Sequence, residues 1–179
     1  MMVLVIVALL AVGSFAMYGK MMKRSDALAC RQNLKNLHAG LLSYINDKHT
    51  WPQEPGLDDD PKNGNEPELD EDEDFEWWFH ELEPYGVGKE SWFCPAELRQ
   101  LRKAGHSDAD LAMRNESSYV PIAMDYGDFE PYRYPDQPWI IESDDFHGDG
   151  GLKLMSNGVI LKEIGFDALR AANKGRSGK

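Results

Sequence analysis

The feature that most constrains this chain is its first eighteen residues, which carry no charge. They read MMVLVIVALLAVGSFAMY, and Leu, Ile and Val dominate the first half. As a helix, this stretch would be roughly 27 Å long, close to the thickness of the hydrocarbon core of a bilayer. A soluble helix at a chain terminus rarely has every face apolar. The pattern therefore predicts a transmembrane helix over residues 1–19.

A cleaved secretory signal peptide is the alternative interpretation of this segment. The small residues of Gly13–Ala16 would suit a cleavage site, but the usual basic region before the apolar run is missing. Lys20, Lys23 and Arg24 follow the span, and no Lys or Arg precedes it. The positive-inside rule alone would therefore place the rest of the chain in the cytoplasm.

The sequence predicts that the helix continues beyond the membrane as an amphipathic segment over residues 20–50. Its apolar residues recur at steps of three or four, which is typical of one helical face. This predicted packing face consists of Leu34, Leu37, Leu41 and Tyr44. The pattern ends at Asn46–Asp47, shortly before Trp51–Pro52, where proline disfavours a continued helix.

Nearly all of the net charge of −12 belongs to one segment. Residues 54–76 contain twelve acidic side chains and a single lysine, so like charges repel and few apolar groups favour order. We expect a solvated acidic loop over residues 51–76. A loop calcium site is an alternative that would use oxygen ligands, although no EF-hand spacing is present. Its candidate ligands are Asp58, Asp59, Asp60, Asn63, Asn65 and Asp70.

The remainder of the chain is nearly neutral and predicts a small antiparallel sheet domain over residues 77–172, with a flexible tail over 173–179. Together with the long helix, this predicts an α+β fold. The acidic balance excludes a protein that grips nucleic-acid phosphates over a broad face. The predicted elements are a short helix or turn over Phe75–Leu82, strands over Ser91–Pro95, Ser118–Ala123 and Pro138–Glu142, and helices over Ala96–Met113 and Gly165–Ala172.

The clearest local signal is a β-hairpin near the end of the chain. Leu152–Met155 and Val159–Lys162 are apolar segments that flank Ser156–Gly158. Asn-Gly favours a type I′ turn, in which both central residues have positive φ. We therefore expect a tight two-stranded hairpin with Asn157 and Gly158 at its turn.

The arrangement of a long helix, half in the membrane, followed by a small antiparallel sheet resembles that of type IV pilins and type II secretion pseudopilins. Several segments are similar to the pilin-like proteins named for a His-X9-Asp-Gly signature. They are CRQNLKNL at Cys30–Leu37, Tyr44 and Pro52 after it, WFCP at Trp92–Pro95, Ser118–Tyr119, and His147 separated by nine residues from Asn157–Gly158. Asn157 stands where the signature has Asp.

The resemblance implies a non-enzymatic structural protein with a pilin-like fold and no catalytic residue or cofactor. It implies a single pass through the cytoplasmic membrane, with the globular domain in the periplasm or outside the cell. Its partners would be membrane lipid and other pilin-like subunits, in a homo- or hetero-oligomer. The family's basic leader and "F-T-L-I-E" stretch have no counterpart before Met1, so we expect either a leader outside this sequence or an unprocessed anchored relative.

The two cysteines allow two interpretations. They are too few for a disulfide scaffold or for a structural zinc site of four thiolates. Cys30 and Cys94 are either two buried thiols or, if the domain is periplasmic, a disulfide that joins the helix to the sheet. A nucleophilic cysteine would need a neighbouring base and a lowered pKa, for which Arg31 and Lys35 are weak support.

His147 is followed two residues later by Asp149, a pair that could serve a metal site or a general base. The sequence offers no second His or Cys at metal-ligand spacing, so no metal site is predicted. The surrounding glycines favour a structural role in which His147 bonds backbone groups near the hairpin. A hydrolase centred on this pair is the weakest functional hypothesis.

Large aromatic side chains are dense in the first part of the predicted domain. Most such groups form a hydrophobic core in a small sheet domain. If they were exposed, they would instead suit an anchored or secreted binding module for a glycan or a protein, aided by the acidic loop. The residues concerned are Phe75, Trp77, Trp78, Phe79, Tyr85, Trp92 and Phe93.

Overall fold

The computed structural model describes residues 2–52, 71–122, 135–148 and 150–162. Side chains are described from Met17 onward in the first range and from Phe75 onward in the second. The helices are α1 (Met2–Lys48), α2 (Glu71–Leu82), α3 (Pro95–Lys103) and α4 (Asp108–Ala112). The strands are β1 (Tyr119–Pro121), β2 (Pro138–Glu142), β3 (Leu152–Met155) and β4 (Ile160–Lys162).

Helix α1 is unbroken over 47 residues, as the absence of proline and the repeated apolar spacing predict. It ends at Lys48, because His49 takes a left-handed conformation with φ of 60°. The His49 N–H still bonds the Ile45 carbonyl at 2.8 Å, which satisfies one of the last carbonyls of the helix. In the part of the chain whose side chains are described, no helix is long and apolar enough to cross a membrane.

The residues of the predicted packing face of α1 are all buried, namely Leu34, Leu37, Leu41 and Tyr44. They pack in one core with indole rings from three other parts of the chain, which are fully buried: Trp51, Trp92 and Trp139. The Trp51 and Trp139 rings meet edge-on with their centroids 5.2 Å apart. The core therefore lies between the second half of α1 and one face of the sheet.

The four strands form one antiparallel sheet in the order β1-β2-β3-β4, so each strand pairs with its neighbour in sequence. Tyr119 pairs with Glu142, and Leu152 pairs with Lys162. This sheet and the long helix confirm the α+β fold class, and the strands predicted at 118–123, 138–142 and in the hairpin are present.

The predicted turn type of the hairpin is wrong. Gly158 has a φ of 77°, but Asn157 is not among the residues with positive φ. The Gly158 N–H bonds the Met155 carbonyl and the Met155 N–H bonds the Val159 carbonyl, each at 2.9 Å. This is the pattern of a three-residue loop, a type I turn followed by a left-handed glycine, which needs only one residue of positive φ.

Three other element predictions need correction. The acidic loop predicted to residue 76 is too long, because α2 begins at Glu71. The strand predicted at Ser91–Pro95 is a 3-10 turn over Lys89–Trp92, which begins after Gly88 and leads into α3. The single helix predicted over Ala96–Met113 divides into α3 and α4, because Gly105 has a φ of 103° and Ser107 caps the second helix.

Several predictions lie outside the described residues. They are the candidate calcium ligands at residues 58–70, the carboxylate of Asp149, the helix at 165–172 and the tail at 173–179.

Candidate functional site at the junction of helix and sheet

A disulfide between Cys30 and Cys94 joins the middle of α1 to the segment that precedes α3. Both cysteines are fully buried, and their Cα atoms are 5.2 Å apart. The disulfide alternative of the sequence is therefore confirmed, and no free cysteine remains in the described chain. The bond fixes the helix to the domain at the level where the sheet begins.

Backbone hydrogen bonds hold Cys94 in place from two directions. Its N–H donates to the Ser118 Oγ at 2.6 Å, just before β1. Asn33, on the same face of α1 as Cys30, donates from Nδ2 to the Phe93 carbonyl at 2.8 Å. The Cys94 carbonyl accepts from Leu98, which begins the hydrogen bonding of α3. Helix α1, the 3-10 turn and β1 thus converge on this cysteine.

A buried polar network lies behind the disulfide. The Ser118 hydroxyl donates to the Glu97 carboxylate, whose other oxygen pairs with Arg114 Nη1 at 2.6 Å. Both charged side chains are largely buried, so each needs the other to offset the loss of hydration. Ser118 therefore connects the backbone of Cys94 to a charged pair.

Glu142 and His147 bring two further polar side chains to the disulfide. The His147 Nε2 lies 3.5 Å from the Cys94 Sγ and 3.3 Å from the Glu142 Oε1. The Glu142 side chain is 0% exposed and that of His147 is 6% exposed. The sulfur, imidazole and carboxylate donors of Cys30, Cys94, Glu142 and His147 all lie within 4.8 Å of one another.

Strand alternation and a local turn position these two side chains. Glu142 is the last residue of β2 and faces the core like Ile140, because every second residue of a strand shares a face. Its Oε2 accepts from the Leu152 N–H at 2.9 Å, which directs Oε1 toward His147. Among the described residues, Glu142 Oε1 accepts no hydrogen bond.

The loop between β2 and β3 is folded around Asp145. The two oxygens of its carboxylate accept from the N–H groups of Gly148 and Gly150, at 2.8 and 2.9 Å. Both glycines have positive φ, a backbone conformation that residues with a Cβ rarely adopt. Gln100 of α3 also donates to the Phe146 carbonyl at 3.1 Å. The loop therefore presents His147 from a backbone whose turn uses glycines. The contacts described for the His147 Nε2 are with the side chains of Cys94 and Glu142, whereas the sequence prediction gave this histidine backbone partners.

A cavity of about 230 Å³ opens beside His147, between α1 and α3. Across it, Arg99 makes a two-point ion pair with Asp26 of α1, and the Asp26 side chain is 7% exposed. Lys23 and Lys103 also line the cavity. The junction is thus closed on one side by the core and bordered on the other by this cavity, whose lining holds Lys23, Lys103 and the paired Arg99 and Asp26.

The three residues of the predicted signature do not form one site. His147 precedes β3 and lies at the disulfide, whereas Asn157 and Gly158 follow β3 at the hairpin turn. Gly158 packs against the ring of His38, which bonds the Ser156 carbonyl at 3.0 Å. The two ends of the signature, which precede and follow β3 in the sequence, therefore lie beside different positions of α1: His147 near Cys30, and Gly158 near His38.

Burial governs the ionisation of the tyrosine nearest the disulfide. Tyr119 is 1% exposed, and its hydroxyl donates to the Cys30 carbonyl at 3.4 Å. Desolvation is the main cause that raises the pKa of Tyr119, and the charge of Glu142 adds to it. The phenol therefore stays protonated and serves as a hydrogen-bond donor to α1.

A larger cavity of about 550 Å³ lies at the edge strand β1. Phe75, Trp78 and Tyr119 line its floor, and Arg114 and Glu116 line its rim. Trp78 and Trp92 are buried, and Trp77 is half-buried against the core. The predicted core role of these aromatics is therefore supported more than an exposed stacking surface.

Sequence reasoning did not find the four-residue cluster at the disulfide. Its members come from α1, the start of α3, β2 and the following loop, so no local spacing unites them. The sequence places Glu142 on a predicted strand and does not distinguish it from its neighbours. Its position directly after the apolar residues Trp139–Ile141 was the available signal, because a carboxylate continuing a buried strand needs a partner.

Comparison with protein-family models, with curated proteins and with solved structures finds no match for this chain.

Proposed function

We propose that this protein is a membrane-anchored, pilin-like structural protein of a secretion or pilus-type assembly. It acts by packing its helix beside those of other subunits, in a homo- or hetero-oligomer, and not by catalysis. The observation that carries the proposal is the length of α1, which continues far beyond the domain. Among the side chains described from Met17 onward, the first buried one is Asp26. Residues 17–21 are all exposed, and the helix begins 15 residues before Met17, at Met2, about 22 Å further along its axis.

The exposed side chains at the base of this extension support a packing role. Met17, Met21 and Leu28 are each about two-thirds exposed. At about 100° per residue, the three share one side of α1, opposite to the buried Cys30 and Leu34. An exposed apolar stripe on a helix favours association with another apolar surface. Neighbouring helices of the same kind would provide that surface.

The disulfide supports a domain outside the cytoplasm, because such bonds persist in oxidising compartments. We give the disulfide more weight than the opposite indication from Lys20, Lys23 and Arg24, because the positive-inside rule is a bias in loop charge, whereas a disulfide persists only in an oxidising compartment. The proposal is therefore a single pass with the domain in the periplasm or outside the cell.

Membrane fractionation tests the anchor. Deletion of residues 1–18 should move the protein from the membrane pellet to the soluble fraction after an alkaline carbonate wash. The control is Lys103→Ala, at an exposed residue at the end of α3 and outside the deleted segment. This variant should remain in the membrane pellet. Unchanged pelleting of the truncated chain would contradict the proposal.

The exposed stripe tests the assembly. In native membranes treated with an amine-reactive cross-linker, the paired substitutions Met21→Asp and Leu28→Asp should remove cross-linked species that contain this chain. The pair Ser25→Asp and Gln32→Asp adds the same charge at polar positions about 40° around the helix from the first pair and should preserve more of them. Cross-linking that is equal in the two variants would refute packing through this stripe.

A second candidate function is an anchored binding module for a glycan or a protein, and the cavity beside β1 is the observation that favours it. The test is quenching of tryptophan fluorescence by neutral acrylamide. Access of the quencher to Trp77 and Trp78 would favour this module, whereas protected indoles would favour the structural role.

A further inference from the structure

We propose that the dithiol form of this protein binds one zinc ion through Cys30, Cys94, Glu142 and His147. The disulfide and the zinc ion would be alternative cross-links at one position, each joining α1 to the sheet. The proposal goes beyond the structural role suggested above and does not depend on membrane anchoring.

The donor set has the chemistry that zinc requires. Structural zinc is bound by four donors drawn from cysteine sulfur, histidine nitrogen and carboxylate oxygen, in tetrahedral geometry. The described junction contains two sulfurs, one imidazole nitrogen and one carboxylate oxygen within 4.8 Å of one another. Calcium and magnesium prefer six or more oxygens or ordered water, so this set favours zinc.

The distances between donors also fit. With zinc–sulfur bonds of about 2.3 Å and zinc–nitrogen or zinc–oxygen bonds of about 2.0 Å, tetrahedral geometry separates S and N by about 3.5 Å and N and O by about 3.3 Å. The Cys94 Sγ and His147 Nε2 are 3.5 Å apart. The His147 Nε2 and Glu142 Oε1 are 3.3 Å apart. Two of the ligand edges are therefore already close to their length in a zinc site.

A third edge joins the two sulfurs, which are bonded in the disulfide form. In the dithiol form, rotation about each Cα–Cβ bond can separate them to the roughly 3.8 Å of a tetrahedral zinc site. The backbone need not move far, because the Cα atoms are already 5.2 Å apart.

The buried carboxylate is the second indication of a ligand. Glu142 is fully buried and its Oε2 accepts from the Leu152 N–H. Within the described residues its Oε1 faces the His147 Nε2 at 3.3 Å but accepts no well-aligned hydrogen bond. A buried carboxylate oxygen without such a bond has a high desolvation cost. A zinc ion would satisfy it, and the bond from Leu152 is the kind of outer contact that orients a metal ligand.

The chemistry balances in both directions. Zinc binding to the two thiols forms two zinc–sulfur bonds and releases two protons. Conversion to the disulfide needs an oxidant, which we take to be a thiol-disulfide exchange partner that carries its own disulfide. The zinc–sulfur bonds break and one sulfur–sulfur bond forms. Two electrons from the cysteine sulfurs and two protons from solvent reduce the partner to a dithiol, and the zinc ion leaves.

Zinc loading of the untagged, full-length protein in detergent tests the proposal. The protein is reduced anaerobically with a phosphine, desalted, exposed to zinc and analysed for bound metal. We expect one zinc per chain in the reduced protein and almost none in the oxidised protein, which retains the same acidic segment. A reduced chain that acquires no zinc, or an oxidised chain that binds as much, overturns the proposal.

Two variants test the ligands other than cysteine. Competition with a chromophoric chelator should show that His147→Ala and Glu142→Gln each lower the zinc affinity by about 10-fold or more. This is the size of effect expected when a group that holds or orients a zinc ligand is altered. His80→Ala is the matched control, because this histidine is exposed, and its affinity should equal that of the wild type. Oxidised samples, in which the disulfide maintains the junction, establish that each variant folds.

Cobalt provides a spectroscopic readout of geometry. The reduced protein loaded with Co²⁺ should show the visible bands of tetrahedral cobalt together with a thiolate charge-transfer band. The double variant with both His147→Ala and Glu142→Gln should lose the tetrahedral bands. Wild-type affinity and wild-type cobalt bands in that double variant would mean that the thiols act alone, and would refute the four-ligand site.

Discussion

Single residues at the end of α1 connect its stability to pH. The Tyr85 hydroxyl donates to the Asp47 Oδ2 at 2.7 Å, across the turn that follows α2. This bond is the largest cause that lowers the pKa of Asp47 and raises that of Tyr85 from 10.0 to about 12. The bond requires a charged carboxylate and a neutral phenol, so it favours the folded state only between the two ionisations.

The Tyr85 pKa is directly measurable. Ultraviolet difference titration of the wild type against Tyr85→Phe should show a phenol that ionises near pH 12, well above an ordinary tyrosine. The stabilisation from this bond should be complete below pH 10 and disappear as Tyr85 ionises near pH 12. On the acid side it should be complete above the ordinary Asp pKa of 3.8 and disappear as the pH falls through the lower folded value of Asp47.

Asp47→Asn is the control for this titration. Without the carboxylate, the Tyr85 pKa should return toward 10. A phenol that still titrates near pH 12 in that variant would contradict the assigned cause.

At the scale of elements, one glycine sets how closely α1 approaches the segment after α2. A Cβ built on Gly40 would lie 2.2 Å from the Val87 Cγ2. Alanine at this position gains about 1 kcal/mol of helix propensity over glycine, but the overlap should cost about 1–3 kcal/mol. We expect Gly40→Ala to lower the free energy of unfolding in a urea titration.

Two further variants separate crowding from propensity. Gly19→Ala, on the same helix but with nothing within 4 Å of its Cβ, should lose no stability. Val87→Ala should make Gly40→Ala tolerable, so that the double variant is more stable than the additive sum predicts. Additive losses would show that the close approach to Val87 is not the cause.

The elements that the sequence predicts correctly are those with a local signal. The leucine spacing predicts helix α1, and the two apolar runs around Ser156–Gly158 predict the hairpin of β3 and β4. Each signal lies within a few consecutive turns or residues of the chain. The failure at Ser91–Pro95 has a tertiary cause. Trp92, Phe93 and Cys94 are all buried, whereas a strand with one face in the core buries only every second residue. In addition, Asn33 of α1 donates to the Phe93 carbonyl, which a neighbouring strand would otherwise have to bond.

The four-residue junction could not be predicted for a related reason. Its residues are separated by up to 117 positions, and only the antiparallel order of the sheet brings Glu142 beside the helix. The cysteine pair alone was accessible, because the resemblance to pilin-like proteins and the redox argument both single it out.

At the scale of the molecule, the disulfide closes a 64-residue separation and constrains the unfolded chain. The loop-entropy model assigns such a cross-link about 4 kcal/mol. The double substitution of Cys30→Ser and Cys94→Ser should lower the free energy of unfolding by about this amount, measured in urea with a metal chelator present.

The oxidised His147→Ala protein is the comparison, since it retains the bond and loses only a neighbouring contact. A loss in the double serine variant no larger than that of His147→Ala would mean that the constraint is not what stabilises the junction.

Because α1 is unbroken from Met2 to Lys48, the angular position of each side chain around the helix axis is fixed relative to every other. In the anchored arrangement proposed above, the side of the helix that would meet lipid or a neighbouring helix is fixed relative to the sheet by the number of residues between them. One residue inserted after Gly19 would turn the two ends relative to each other by about 100°, whereas seven would restore the phase to within about 20°. The number of residues in α1 therefore sets the rotational orientation of the domain about the helix axis.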